Sequence, residues 1–180
     1  MKLLTICTAV LGVGLGQSAV AQDCTSRLSV KFIESAPRDY FVIRHEGDGS
    51  TLISGISLDL AASSGSLIFD SADGGAGVEV NQPFRSETTT PMLTQEPSVL
   101  DGSTALRLAF SGFKPGEEYR FSIDVDDRAT NSDLGQIRVT GGEMKGAEVE
   151  VAFATPSGET QIAMAEFDAN NAAQTTLVCS

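Results

Sequence analysis

The chain has 180 residues, with 24 acidic residues against 12 Lys and Arg, and its formal net charge at pH 7 is −12. A surface this acidic argues against nucleic acid or an anionic membrane as a partner, because both carry the same sign of charge. Two explanations of the acidity stay open: solubility in a salty exterior, and the binding of divalent cations.

The first 21 residues have the pattern of a secretory signal peptide. Lys2 precedes an apolar run over residues 3–15, and Ala19-Val20-Ala21 has the small-x-small pattern of a cleavage site. The run is too short to span a bilayer, and no later segment approaches the length of a membrane helix. We therefore expect a mature chain that starts at Gln22, has no transmembrane segment, and is secreted or periplasmic or held at the extracellular surface.

Two cysteines, Cys24 and Cys179, lie near the ends of this mature chain. An oxidising compartment favours their pairing, and a lone distant pair lacks the spacing of a zinc site. We predict a disulfide between them. A bridge closing a loop of about 150 residues stabilises a fold by on the order of 4 to 5 kcal/mol in the chain-entropy model.

Alternating apolar and polar residues predict about ten short strands and no helix after the signal. The predicted strands cover residues 27–32, 40–44, 52–60, 67–69, 78–80, 106–110, 119–125, 149–153, 162–167 and 175–178. Residues 82–102 have three prolines and little periodicity, which is typical of a long surface excursion. The pattern predicts one all-β domain over residues 22–180, a β-sandwich or jelly roll.

A β-hairpin with an acidic tip is predicted between residues 121 and 143. Apolar residues alternate over 121–125 and recur at 134, 137 and 139, which is typical of two strands joined by a turn. Residues 124–133 contain four aspartates: Asp124, Asp126, Asp127 and Asp133. Carboxylates this close repel one another by several kcal/mol if they are desolvated together, so we expect water or a cation to separate them.

The four aspartates form a candidate Ca²⁺ site. Asp124 and Asp126 share one face of a strand, Asp127 begins the turn, and Asp133 can fold back beside them. With backbone carbonyls they would supply the six to eight oxygens that Ca²⁺ prefers, although the spacing is not that of an EF-hand. The alternative is a solvated acidic turn with Arg128 as its counter-charge.

The sequence predicts no catalytic residues. Paired carboxylates could hydrolyse glycosides, but the chain has no Trp to form a sugar platform. His45, the only histidine, is predicted in a solvent-facing turn, and no serine has a GxSxG context. The glycines Gly74, Gly75 and Gly77 predict a turn and not a phosphate loop, because no Lys-Ser or Lys-Thr follows.

Three segments carry a family resemblance: KFIESAPRDYFVIR (31–44), GSLIFDSADGGAGVEVNQPF (65–84) and FSIDVDDRATNSDLGQIRVTGGEMKGAEV (121–149). Together they resemble small exported bacterial proteins called aggregation factor core, after the core protein of the sponge aggregation factor, a calcium-dependent cell-adhesion proteoglycan. The resemblance implies an extracellular β-domain that associates with itself or with glycans when Ca²⁺ is present. It also implies that Asp124, Asp126 and Asp127 are the matching acidic positions.

We therefore predict a secreted, non-enzymatic binding or adhesion module that Ca²⁺ stabilises and whose partner is an extracellular glycan or a second copy. Two alternatives stay open at this point. One is a Ca²⁺-dependent hydrolase of extracellular polysaccharide, which would need a cleft with two inward carboxylates. The other is a purely structural envelope or matrix protein.

Overall fold

The structure is a computed structural model that describes residues 25–35, 38–48, 51–78, 80–129, 132 and 134–178. These residues are almost entirely β-strand and irregular chain, as the sequence predicts. The strands are β1 Thr25–Ile33, β2 Tyr40–Asp48, β3 Leu52–Asp59, β4 Ile68–Asp70, β5 Arg85–Ser86, β6 Ala105–Phe113, β7 Glu118–Ser122, β8 Asp124–Asp126, β9 Glu148–Ala154, β10 Thr160–Glu166 and β11 Ala172–Val178. A single helical turn, α1, covers Gly141–Met144 and is closed at its start by a capping box from Thr140.

The strands pair antiparallel in two sheets and one separate ribbon. One sheet has the order β11-β1-β2-β7-β5 and the other has the order β10-β9-β3-β6, while β4 and β8 pair with each other. Antiparallel pairing allows one face of each sheet to be buried and the other to meet water. The β1 strand shows this alternation, with Leu28, Val30 and Phe32 buried between more exposed neighbours.

One hydrophobic cluster joins the two sheets and the ribbon. Phe41 of β2 stacks on Phe121 of β7, with ring centroids 5.0 Å apart, and Leu58 of β3 and Val151 of β9 belong to the same cluster. Phe69 of the ribbon contacts Phe41 edge-on, with ring centroids 6.5 Å apart. The arrangement is consistent with the predicted β-sandwich, and the jelly-roll connectivity stays a prediction.

The predicted hairpin between residues 121 and 143 is wrong. β7 pairs with β2, and β8 pairs with β4, which precedes it by many residues in the chain. Between Asp126 and Glu148 no described residue lies in a strand. The predicted strand over 78–80 is also wrong, because Val78 and Val80 lie in an irregular segment and Val80 is exposed. Local alternation of apolar residues does not determine which distant strand supplies the pairing, or whether any strand does.

His45 is not in a solvent-facing turn. It lies in β2, fully buried, with Nδ1 3.0 Å from the carbonyl oxygen of Phe113. The rings of Phe113 and Phe153 contact the imidazole edge-on, with ring centroids 5.8 and 6.0 Å from its own. Burial lowers the pKa of His45, so the imidazole is a neutral part of the core near neutral pH.

Several predictions concern residues outside the described part of the chain. These are the signal peptide over residues 1–21, the cysteines Cys24 and Cys179, and Asp133. The β1–β11 register nevertheless pairs Thr25 with Val178, the residues next in sequence to the two cysteines. Among the described residues, no helix has the length and apolar character needed to cross a membrane.

Candidate metal centre

The predicted acidic residues lie on a short β-ribbon and not on a hairpin tip. β4 and β8 pair so that Asp70 is opposite Asp124 and Ile68 is opposite Asp126. Opposite residues of an antiparallel pair project from the same face, and residues two apart in one strand do so as well. Asp70, Asp124 and Asp126 therefore share one face of the ribbon, and Phe69 and Val125 occupy the other face.

These carboxylates are buried and not held in water. Asp70, Asp124 and Asp126 are 3%, 7% and 1% exposed, and the adjacent Asp127 is 1% exposed. Asp127 follows β8 directly, where its backbone N–H donates to the carbonyl of Gln136 at 3.0 Å. We call Asp70, Asp124, Asp126 and Asp127 the carboxylate cluster.

The glycine-rich segment after β4, residues 71–78 and 80–82 of the described chain, covers the carboxylate cluster and is called the covering segment. The backbone N–H of Val78 donates to Oδ2 of Asp126 at 2.6 Å. Gln82 fixes the end of the segment, because its N–H donates to the carbonyl of Asp70 and its carbonyl accepts from the N–H of Asp124, each at 3.1 Å. A Cβ at Gly77 would collide with the carboxylates of both Asp70 and Asp126. Only glycine therefore lets the backbone lie between these two side chains.

Asp101 holds the same segment from outside the carboxylate cluster. Its Oδ1 accepts from the N–H groups of Ser71 and Ala72 at 2.9 and 3.1 Å, and its Oδ2 accepts from Ala76 at 2.6 Å. These backbone N–H groups lower the pKa of Asp101. Asp101 is therefore an anion that orders the covering segment.

Each residue of the carboxylate cluster has a buried oxygen without a hydrogen-bond partner. The atoms are Oδ1 of Asp70, Oδ2 of Asp124, Oδ1 of Asp126 and Oδ2 of Asp127. Among the described residues, none of these carboxylates forms an ion pair, and Arg128 lies on the exposed surface. A buried unpaired carboxylate costs several kcal/mol or takes up a proton.

Burial is the main cause of raised pKa values in the carboxylate cluster. It raises the pKa of Asp124 to about 7, with the negative charges of Asp126 and Asp70 adding to the effect. Burial also raises the pKa of Asp126 to about 6, against the hydrogen bond from Val78. Burial raises the pKa of Asp70 to about 6, with a hydrogen bond to Asp101 and the negative charge of Asp101 adding to the effect.

A further buried acid, Asp39, lies beside the carboxylate cluster. Burial, and then the charges of Glu34 and Asp124, raise its pKa to about 8. Its Oδ1 accepts from the N–H of Ser35 at 3.1 Å. Asp39 is therefore a further buried acid near Asp124 that keeps its proton near neutral pH and has a backbone partner of its own.

The carboxylate cluster offers the ligand type that a hard cation requires. No three described His, Cys, Asp or Glu side chains converge on one point as a formed metal site would. The unpartnered oxygens and the raised pKa values nevertheless fit a cation, because a nearby positive charge favours the ionised carboxylate. Ca²⁺ suits such a set best, since it accepts a flexible shell of carboxylate and carbonyl oxygens.

Sequence analysis found part of this cluster. Asp124, Asp126 and Asp127 were predicted as ligands and lie together, whereas Asp133 is outside the described residues. Asp70, a member of the cluster, and Asp101, which orders the segment that covers it, were missed because their partners are distant in sequence. The sequence feature that could have indicated Asp70 is the apolar run at 67–69, which is followed by this acid and then by a glycine-rich segment.

A scan against protein-family models, a search of curated proteins and a search of solved structures found no match to this chain.

Proposed function

We propose that this chain is a secreted, non-enzymatic binding or adhesion module that Ca²⁺ stabilises. The observation that supports the proposal is the carboxylate cluster, with its four buried oxygens that have no hydrogen-bond partner. Its extracellular partner is a glycan or a second copy, as the resemblance to aggregation factor core proteins implies.

The carboxylate cluster would hold the ion with its free oxygens. Asp70 and Asp124 would approach it from opposite strands, and Asp126 and Asp127 from the end of β8. A bound Ca²⁺ would supply positive charge that keeps these carboxylates ionised at neutral pH. Because the ion binds only the folded arrangement, its binding free energy adds to the stability of the fold.

The position of the carboxylates supports binding over hydrolysis. A glycosidase presents an acid and a base or nucleophile to a sugar in an open cleft. Asp70, Asp124 and Asp126 are all buried beneath the segment that contains Gly77 and Val78. A polysaccharide therefore has no direct access to them in this structure.

Thermal unfolding of the mature protein tests the Ca²⁺ proposal. An ion at 100 times its dissociation constant adds about 2.7 kcal/mol, which raises the midpoint by roughly 5 to 10 °C in a domain of this size. We expect that increase with Ca²⁺, a smaller one with Mg²⁺, and its reversal by a chelator. Asp124→Asn should remove most of the Ca²⁺ response while leaving the midpoint in chelator equal or higher, because a buried charge is lost.

Asp73→Asn is the matched control, since Asp73 lies in the covering segment but is exposed. It should respond to Ca²⁺ as the parent does. If Ca²⁺ shifts neither protein, or if Asp124→Asn keeps the full response, Ca²⁺ stabilisation through the carboxylate cluster is wrong.

We also propose that Cys24 and Cys179 form a disulfide that joins the first and last strands. The pairing of Thr25 with Val178 supports this proposal, because the cysteines are next to these two residues in the sequence. Mass spectrometry of the exported protein without reductant should show a mass about two units below that of the dithiol form. Two alkylatable thiols in that protein would contradict the bridge.

A further inference from the structure

The outward faces of the two sheets carry opposite charge. The basic face is the outward side of the β11-β1-β2-β7-β5 sheet, whose strands carry, among the described side chains, five bases and two acids: Arg27, Lys31, Arg44, Arg85, Arg120, Glu46 and Glu118. A third acid, Glu87, directly follows β5 and pairs with Arg85. The acidic face is the outward side of the β10-β9-β3-β6 sheet, with four acids and one base: Asp59, Glu148, Glu150, Glu166 and Arg107. Although the chain as a whole is strongly acidic, bases outnumber acids on the basic face.

The basic face has a row of side chains across three neighbouring strands. Lys31 of β1 is opposite Val42 of β2, and Val42 is opposite Arg120 of β7. Arg120 lies over the ring of Tyr40, 4.0 Å from its centroid. Within the described residues neither Lys31 nor Arg120 forms an ion pair. Two strand spacings separate these bases, which is roughly 10 Å.

The acidic face has a matching row of carboxylates. Glu148 of β9 is opposite both Glu166 of β10 and Asp59 of β3. None of the three forms an ion pair with a described residue. Like charges directly opposite one another in a sheet repel, so this row is favourable only beside positive charge. Glu166 and Asp59 are also two strand spacings apart, the same separation as Lys31 and Arg120.

Apolar side chains lie beside both rows. Ile162 and Met164 of β10 project from the acidic face and are each 54% exposed. On the basic face, Ile33 and Val42 are partly exposed. Contact between the two faces would remove this apolar surface from water in addition to pairing the charges.

We propose that the acidic face of one copy packs on the basic face of the next, with Glu166 and Asp59 paired to Lys31 and Arg120. The two surfaces differ, so the contact is heterologous and leaves one free face at each end of an assembly. Copies would therefore add head to tail into open chains. Self-association of this kind presupposes the proposed binding function and names a second copy as the partner.

Charge reversal tests this contact by sedimentation velocity of the mature protein over a range of concentrations. About 0.1 M salt is suitable, because the Debye length is then about 10 Å and the repulsion between acidic copies is screened. The parent should show a sedimentation coefficient that rises with concentration. Lys31→Glu with Arg120→Glu, or Asp59→Lys with Glu166→Lys, should weaken association at least about tenfold, because like charges then face each other.

Mixing the two double variants gives the decisive result. The unchanged acidic face of the first variant can pack on the unchanged basic face of the second, and the two reversed faces also carry opposite charges. An equimolar mixture should therefore assemble as the parent does. Lys114→Glu with Lys145→Glu is the matched control, since both residues are exposed outside the two faces, and it should associate normally. Equal circular dichroism spectra and equal Ca²⁺ responses would show that the variants are folded.

A parent that stays monomeric overturns the head-to-tail contact, and so does a mixture that stays monomeric while the parent assembles. If heparin binds the monomeric parent but not Lys31→Glu with Arg120→Glu, the basic face takes a polyanionic glycan and not a second copy. That outcome would leave the binding function intact. The Ca²⁺ response of the parent is measured independently. Its absence would count against the carboxylate cluster and not against the head-to-tail contact.

Discussion

The β4–β8 ribbon has two buried faces of opposite chemistry. One face places Phe69 and Val125 in the hydrophobic core, and the other carries Asp70, Asp124 and Asp126 under a glycine-rich segment. Removing the first face from water stabilises the fold, whereas removing the second costs free energy unless a cation or protons neutralise it. Similar burial therefore has opposite energetic consequences on the two sides of the same strands, and only the acidic side should respond to solution conditions.

The largest effect is expected from the apolar face. Phe69→Ala should lower the free energy of unfolding by about 3 to 5 kcal/mol, because a fully buried ring leaves a cavity. The loss should be the same with Ca²⁺ and with chelator, as measured by urea denaturation. Phe69→Leu, which retains most of the volume, should cost much less. A loss that changes markedly with Ca²⁺ would mean that the two faces are energetically coupled.

An intermediate effect is expected where the backbone passes between the carboxylates. Gly77→Ala adds a Cβ that collides with Asp70 and Asp126, so we expect a loss of about 1 to 3 kcal/mol and a weaker Ca²⁺ response. Gly142→Ala is the control, because its added Cβ meets only the Thr140 hydroxyl at 3.7 Å. Gly142→Ala should change stability little. A parent-like Gly77→Ala would show that the covering segment can move away without cost.

The smallest effect is expected from pH. In chelator, the raised pKa values of Asp39, Asp124, Asp70 and Asp126 mean that the folded state binds protons more readily than the unfolded state does. Stability should therefore rise as the pH falls from about 8 toward 6.5. Below that range His45 opposes the trend, because its pKa is lowered by burial and the unfolded state binds its proton first.

Ca²⁺ should reverse this pH dependence, because the ion competes with protons for the same oxygens. The Ca²⁺-induced shift of the thermal midpoint should be larger at pH 8 than at pH 6. Differential scanning calorimetry at the two pH values, with Ca²⁺ and with chelator, measures both trends. A Ca²⁺ shift independent of pH would contradict ligation by carboxyls of raised pKa.

The strands were predictable from sequence wherever a long alternating run creates its own buried face. The runs that became β1, β3, β6 and β9 are of this kind, and each was predicted to within a few residues. His45 could also have been predicted as buried, because it continues the phase of Phe41 and Ile43 in β2.

Strand partners were not predictable in the same way. Local spacing shows that Asp124 and Asp126 share a face, but the residue opposite Asp124 is fixed by a pairing with β4 that no short-range pattern specifies. The leading ligand candidate on the second strand, Asp70, follows from that pairing alone. Short strands such as β4 and β8 have too few residues for periodicity to reveal their neighbours.

The β1–β11 register has a consequence for how this fold can be joined to other chains. Thr25 and Val178 are direct neighbours across two strands, so both ends of the described sheet leave from the same corner. Antiparallel neighbours lie only about 5 Å apart, and a short peptide could link them. A circular permutant with new ends in the exposed turn at Pro156 and Ser157 should then keep every strand pair. In the unpermuted chain, fusion partners at either end would be displayed from one side of the molecule.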